Sequence, residues 1–196
     1  MVRRMTTFAP LFLVGFLMAS CARSDDGYRL WLKYDKVKDP GMLQSYRDAL
    51  SSLMVEGSTP MEAALKVELT QGLSGLLDRA LPESREIQDG SVLAGTPATS
   101  PLIASLKLGG TLKALGPEGY LLRTCLVDRK KVTLIAASSP QGALYGAFHL
   151  LKLLQTQQPI EALDITDKPR VKLRLLNHWD NLDGTIERGY AGTSLW

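Results

Sequence analysis

The chain has 196 residues, enough for one ordinary domain, or one domain with part of a second, and too few for a complete (β/α)8 barrel of about 250 residues. Hydrophobic residues make up 45% and charged residues 22%, which excludes a disordered or fibrous chain. The net charge is +3, and no run of Lys or Arg interleaved with aromatic residues follows the N-terminus. Nucleic acid is therefore not an expected partner.

The N-terminus has the pattern of an export signal. Arg3 and Arg4 precede an apolar stretch over residues 8–19, which is shorter than the roughly 20 residues of a membrane span. The sequence LMASC at residues 17–21 resembles a bacterial lipoprotein cleavage box, which makes Cys21 the candidate lipidation site. Residues 1–24 are interpreted as a signal peptide, and the protein as periplasmic, membrane-anchored or secreted. Lipoprotein processing, ordinary secretion and an uncleaved anchor stay open.

Cysteines and histidines are too few and too scattered for a disulfide framework or a metal site, because two of each lie without ligand spacing. Cys125 falls in an apolar run and is expected to be a buried packing residue. His149 is expected to be an ordinary helix-surface residue. No G-x-S-x-G elbow, P-loop or G-x-G-x-x-G occurs, so no cofactor is predicted.

The mature chain opens on a predicted strand and a predicted helix. Residues 28–32 alternate in hydrophobicity and are rich in aromatic side chains, which favours a strand. After a break at Asp-Pro-Gly, residues 42–54 place their apolar side chains at helical spacing.

The second predicted helix has a well-marked start. Thr59 is suited to the N-cap, Pro60 to the first helical position, and Glu62 completes a capping box. Gly72 and Gly75 in its interior would each cost about 1 kcal/mol relative to Ala, so they indicate a kink or a close packing contact.

The middle of the chain predicts short elements followed by a hairpin. Residues 92–94 are interpreted as a short strand and residues 102–108 as a short helix. Two runs of strand-forming residues, 119–127 and 131–137, have the spacing of an antiparallel hairpin.

A third long helix is predicted over residues 141–155, where Gly142 and Gly146 would let the backbone approach a sheet closely. The order of elements predicts the α/β (α+β) class, a mixed sheet covered by helices. Residues 155–168 have the composition of a linker or a crossing segment, and we expect a domain boundary near residue 165. The first domain would then span residues 25–164, and residues 165–196 would begin a second one.

The last thirty residues differ from the rest. Residues 171–176 predict a strand, and a cluster of polar and aromatic side chains follows it directly. Such a cluster at the carboxyl end of a strand is where a (β/α)8 barrel places its active site, although a surface loop of turn-forming Asn and Asp residues would give the same composition.

A resemblance to a known family decides between these interpretations. The segment LNHWDNLDGTIERGYAG at residues 176–192 is similar to the entry to the catalytic barrel of family 67 α-glucuronidases, and DGYRLWLKY at residues 26–34 is similar to their opening. Residues 119–154 resemble the α/β domain that precedes the barrel in this family and in β-hexosaminidases. The resemblance implies that residues 165–196 form the first strand and loop of an incomplete (β/α)8 barrel.

The resemblance also implies an activity. Family 67 enzymes are inverting hydrolases that remove glucuronic acid or 4-O-methylglucuronic acid from xylo-oligosaccharides, and their catalytic carboxylates lie on later barrel strands. No catalytic residue is therefore assigned in this chain, which is expected to be a truncated N-terminal part and inactive alone. A lipid anchor would be its sole membrane contact, and the full-length enzyme is a candidate homodimer.

The resemblance implies that Trp179 lines the pocket for the uronic acid, with a core position for its indole as the alternative. His178, Asn177, Asp180 and Arg188 are the further candidate substrate-binding residues, since they can hydrogen-bond one another or a sugar hydroxyl. Arg188 is also suited to pairing with a uronate carboxylate.

Two other functions stay open. A free-standing α/β module that binds carbohydrate or a protein partner would keep its affinity without residues 166–196. Another glycoside hydrolase, such as a β-hexosaminidase, could share the same leading domain, although the segment at residues 177–192 argues against it.

Overall fold

A computed structural model describes residue 29 and residues 32–175. Five strands and five helices lie in this part of the chain. In chain order they are α1 (Pro40–Ala49), β1 (Ser52–Val55), α2 (Pro60–Leu77), β2 (Ser91–Gly95), α3 (Pro101–Ser105), α4 (Gly109–Leu115), β3 (Tyr120–Val127), β4 (Lys130–Ala137), α5 (Pro140–Gln155) and β5 (Asp164–Asp167).

The strands form one mixed sheet in the order β1-β2-β4-β3-β5. β1, β2 and β4 run parallel, whereas β3 is antiparallel to both β4 and β5. Helices cover both faces of the sheet. Neighbouring residues along a strand point to opposite faces and so pack into different cores. Leu122 of β3 packs into the core shared with α1, α2 and α5, and Leu121 packs with α3 and α4. The predicted class, a mixed sheet covered by helices, is confirmed.

The start of α2 follows the sequence signal. Glu62 Oε2 accepts a hydrogen bond from the Thr59 amide at 2.9 Å, and Thr59 Oγ1 accepts one from the Glu62 amide at 3.3 Å. The prediction of close packing at the helix glycines is also confirmed. A Cβ on Gly72 would lie 2.6 Å from Leu151 of α5, and one on Gly75 would lie 2.5 Å from the Tyr34 carbonyl.

The predicted hairpin is confirmed as β3 and β4. Their connection is Asp128 and Arg129, with φ of 47° and 64°. Two consecutive residues with positive φ give a turn whose twist matches that of the paired strands.

The predicted helix over residues 42–54 is wrong at its C-terminal end, because α1 ends at Ala49 and β1 follows. Leu50 caps the helix in an extended conformation, with φ −125° and ψ 107°. Leu53 packs into the core on one face of the sheet and Met54 into the core on the other. A parallel strand buried on both faces shows no alternation, so its sequence continues the apolar pattern of the helix.

Two predictions near the end of the described chain are also corrected. The linker predicted over residues 155–168 contains β5, whose residues are largely exposed because the strand lies at the sheet edge. The strand predicted over residues 171–176 is not formed at residues 171–175, where no described strand pairs with it. The predicted strand at residues 28–32 lies mostly outside the described residues, as do residues 176–196 of the predicted barrel start at residues 165–196.

Candidate functional site

The candidate substrate-binding residues Asn177, His178, Trp179, Asp180 and Arg188 lie outside the described residues, as does the candidate lipidation site Cys21. Their assignments stay predictions. The structure does describe the chain that leads to the substrate-binding candidates, residues 168–175, here named the exit segment.

The exit segment is held to the domain by polar contacts at both ends. Lys168 donates from its backbone amide to Asp167 Oδ1 at 2.8 Å and from Nζ to the Ala114 carbonyl at 3.4 Å. Arg174 forms an ion pair with Glu118, just before β3, with 2.5 Å between Nη2 and Oε1. The exit segment is therefore attached to α4 and to the start of β3.

Glu118 is the centre of a group of four polar side chains, here named the Glu118 cluster, made of Glu118, Gln141, Tyr145 and Arg174. Glu118 Oε1 accepts from Gln141 Nε2 at 3.2 Å and from the Tyr145 hydroxyl at 3.4 Å. Gln141 Nε2 also donates to the Tyr145 oxygen at 2.9 Å, because residues four apart on α5 share one face. The hydrogen bond to Glu118 raises the pKa of the Arg174 guanidinium above its ordinary value.

A second group, here named the Tyr120 network, joins β3, α5 and β5. The Tyr120 hydroxyl lies 2.6 Å from His149 Nδ1 and 3.3 Å from Asp167 Oδ2. The Tyr120 and His149 rings meet edge to face, with centroids 5.7 Å apart. The hydroxyl has one proton, so Tyr120 either donates to a neutral His149 or accepts from it and donates to Asp167.

His149 is therefore not an ordinary helix-surface residue, because its ring is partly buried and bonded to Tyr120. Burial lowers the pKa of His149, with Asp167 acting in the opposite direction and Lys152 adding to the decrease. Burial also raises the pKa of Tyr120, and Asp167 adds to the increase. Both side chains are neutral near pH 7, and the network fixes β5 and α5 against β3.

The described residues also form an open groove of about 720 Å³ on another part of the surface, between α1 and the β3–β4 hairpin. Its charged lining residues are Asp48, Asp89, Lys131 and Glu161. Asp89 Oδ1 accepts a hydrogen bond from the Lys131 amide at 2.8 Å. Ser45 donates a hydrogen bond to Glu161, and this bond lowers the pKa of the Glu161 carboxyl. Three carboxylates against one lysine disfavour an anionic ligand, so this groove does not suit a uronate.

The remaining features concern Cys125, metal ligands and membrane-spanning helices. Cys125 is partly buried against the core on the α3 and α4 side, as expected of a packing residue, and burial raises the pKa of its thiol. Over the residues that the structure describes, no three His, Cys, Asp or Glu side chains gather where a metal ion could bind. No helix within residues 32–175 is long and apolar enough to cross a membrane.

Comparison with known families assigns the chain to the glycoside hydrolases. The model of the glycosyl hydrolase family 67 N-terminus matches residues 30–150, and the model of the family 67 middle domain matches residues 153–196. The chain belongs to glycosyl hydrolase family 67.

Individual relatives agree with the family match. The chain is 33% identical over 192 residues to a probable alpha-glucuronidase A of Aspergillus terreus, which covers 95% of this chain and 22% of the relative. It is 30% identical to a probable alpha-glucuronidase A of Aspergillus oryzae, over 91% of this chain and 21% of the relative. Alpha-glucuronidase A of Aspergillus tubingensis is 30% identical over 92% of this chain and 21% of its own length. The chain thus spans about a fifth of the length of these relatives.

Sequence reasoning did not find the Glu118 cluster or the Tyr120 network. The partners of Tyr120 are 29 and 47 residues away, and Arg174 is 56 residues from Glu118. The spacing of Gln141 and Tyr145 is the one local signal, because two polar side chains four apart on a helix are neighbours.

Proposed function

We propose that this chain is the N-terminal part of an α-glucuronidase, here called the parent enzyme. The parent enzyme hydrolyses the α-1,2 bond between glucuronic acid, or its 4-O-methyl ether, and a xylo-oligosaccharide. The observation that carries the proposal is that the N-terminus and middle-domain models of one family match consecutive ranges of the chain in that order. The names of the relatives support the same activity.

The proposed reaction inverts the anomeric carbon. One carboxylic acid protonates the leaving oxygen while a carboxylate across the ring activates water, and the two groups stand about 6.5–9.5 Å apart. We place both outside this chain, so that the chain alone is inactive. In the proposal, Trp179 stacks on the uronic acid, and Asn177, His178, Asp180 and Arg188 supply hydrogen bonds to it.

The proposed organisation has a signal over residues 1–24, an α/β domain over residues 25–164, and the start of the barrel over residues 165–196. β5 lies at this last boundary as the edge strand of the sheet. Export, with lipidation at Cys21 as the anchor, is part of the proposal, and a glucuronic-acid-bearing xylo-oligosaccharide is the proposed substrate. A homodimer of the parent enzyme is also part of the proposal.

The nucleotide sequence after codon 196 tests the proposal. Because the chain spans about a fifth of its relatives, we expect an open frame that continues for several hundred codons and encodes the remaining barrel strands. A stop codon directly after Trp196, together with sugar binding that survives deletion of residues 166–196, would support a free-standing binding module instead.

A further inference from the structure

The exit segment is joined to the domain through Arg174 more than through its apolar side chains. Val171, Leu173 and Leu175 are 60%, 73% and 83% exposed, so they contribute little packing against the described domain. Among the described residues, the pair of Arg174 with Glu118 is the ion pair that connects residues 168–175 to the sheet and its helices. The position of the segment near residue 174 therefore depends on this pair.

Glu118 is held by two hydrogen bonds besides those from Arg174. Gln141 and Tyr145 both donate to its Oε1, and α5 carries both of them on one face. The Glu118 side chain is 27% exposed and that of Arg174 is 43% exposed, whereas the pair of Lys36 with Asp78 is 54% and 59% exposed. A pair with one partner preorganised and partly shielded loses less side-chain entropy and is screened less by salt than a pair on the open surface.

Arg174 also shapes the exit segment itself, because Nη1 donates to the Val171 carbonyl three residues earlier. The guanidinium thus joins two points of the exit segment to one carboxylate on the domain. Asn177 follows Arg174 by three residues, a distance that an extended chain spans in at most about 11 Å. Arg174 is therefore close along the chain to the candidate substrate-binding residues.

We propose that Glu118 is a positioning residue for the glucuronidase reaction, acting through Arg174 to fix the segment that begins at Asn177. This inference rests on the proposed function for its kinetic part. Glu118 touches no reacting atom in this account. Its effect is on geometry, and misplacement of a substrate-orienting group by about 1 Å is enough to slow an enzyme markedly.

The first experiment uses the 196-residue chain and no activity. The rates of trypsin cleavage after Lys172 and Arg174 are measured by mass spectrometry in the wild type, in Glu118→Gln and in a matched control, Glu83→Gln. Glu83 forms an exposed ion pair with Lys66 elsewhere on the surface. Trypsin must bind the Arg174 guanidinium that Glu118 holds, so we expect faster cleavage in Glu118→Gln alone. Equal cleavage rates in all three proteins would overturn the anchoring role of Glu118.

The second experiment uses the parent enzyme. Glu118→Gln should lower kcat/KM about two- to fivefold, the range expected for loss of a partly exposed ion pair, with an unchanged melting temperature. Glu118→Arg should lower it further, and adding Arg174→Glu should restore most of the loss. A lower melting temperature with normal kinetics, or a double variant no better than Glu118→Arg, would contradict the positioning role.

The two experiments separate the inference from the function on which it rests. A wild-type parent enzyme that releases no uronic acid would overturn the proposed function, and the kinetic role of Glu118 with it. The cleavage measurement would still decide whether Glu118 holds the exit segment.

Discussion

Replacing Gly142 by Ala tests how tightly α5 packs on the sheet that carries Tyr120 and on the chain just before it, which carries Glu118. A Cβ at this position would lie 2.5 Å from the Gly119 carbonyl oxygen, 3.0 Å from Ala137 Cβ and 3.1 Å from the Pro117 carbonyl oxygen. Two of these neighbours are backbone atoms, which cannot rotate away as the end of a side chain can. The methyl group therefore requires α5 or the chain before β3 to move.

The net effect is a balance of two terms. Ala in place of Gly inside a helix stabilises by about 1 kcal/mol. Overpacking of a close contact costs about 1–3 kcal/mol. Because the closest neighbour is a backbone oxygen at 2.5 Å, we take the upper half of that range. Gly142→Ala should then lower the free energy of unfolding by about 1–2 kcal/mol.

Gly110→Ala is the matched control, since Gly110 also lies in a helix, α4, and a Cβ there meets nothing within 4 Å. We expect it to be neutral or stabilising by up to about 1 kcal/mol. Urea unfolding of the 196-residue chain, followed by circular dichroism, gives both free energies by linear extrapolation. A Gly142→Ala protein as stable as Gly110→Ala would refute the close approach of α5 to the sheet.

Other predictions concern pH, substrate and proteolysis. Burial lowers the pKa of His149, so below its ordinary value of about 6.5 the unfolded chain binds more protons than the folded one. Stability should fall as pH drops from about 7.5 to 5.5 in urea titrations, and His149→Gln should flatten that part of the curve. In the parent enzyme, Trp179→Ala should lower kcat/KM by a factor that corresponds to about 2–4 kcal/mol of transition-state binding, with an unchanged melting temperature. Truncation of a core tryptophan would instead cost about 3–5 kcal/mol of stability. Thermolysin, which cuts before large apolar residues, should cut first before Val171, Leu173 or Leu175, which are exposed and follow the last strand, while early cleavage before Leu163 or Ile165 would contradict the pairing of β5.

Local signals in the sequence were sufficient where an element is determined by its own residues. The capping box of α2 involves residues three apart, and the hairpin turn involves two adjacent residues. The prediction of close approach at Gly142 and Gly146 also succeeded, because glycine in an otherwise regular helix has few explanations besides packing.

The predictions that failed depended on distant partners. β1 is a strand because β2 and an isolated bridge at Glu83 pair with it, and its apolar residues alone extend the pattern of α1. β5 has a polar sequence, and its pairing with β3 identifies it as a strand. The role of His149 depends on Tyr120, 29 residues earlier, so helical spacing alone indicated a surface position.

The same distinction between local and distant signals applies to the residues of the candidate site. Trp179 and its neighbours were found by resemblance of a contiguous segment, and their geometry stays a prediction. Glu118 and Arg174 were found from the structure alone, since 56 residues separate them and neither belongs to a short motif.

The most direct test of the account measures release of free 4-O-methylglucuronic acid from an aldouronic oligosaccharide by the parent enzyme and by the 196-residue chain, side by side. The account predicts that the parent enzyme releases the acid, first as its β anomer because the reaction inverts the α linkage, and that the chain alone releases none. Release by the 196-residue chain, or a parent enzyme that leaves the oligosaccharide intact, would contradict it.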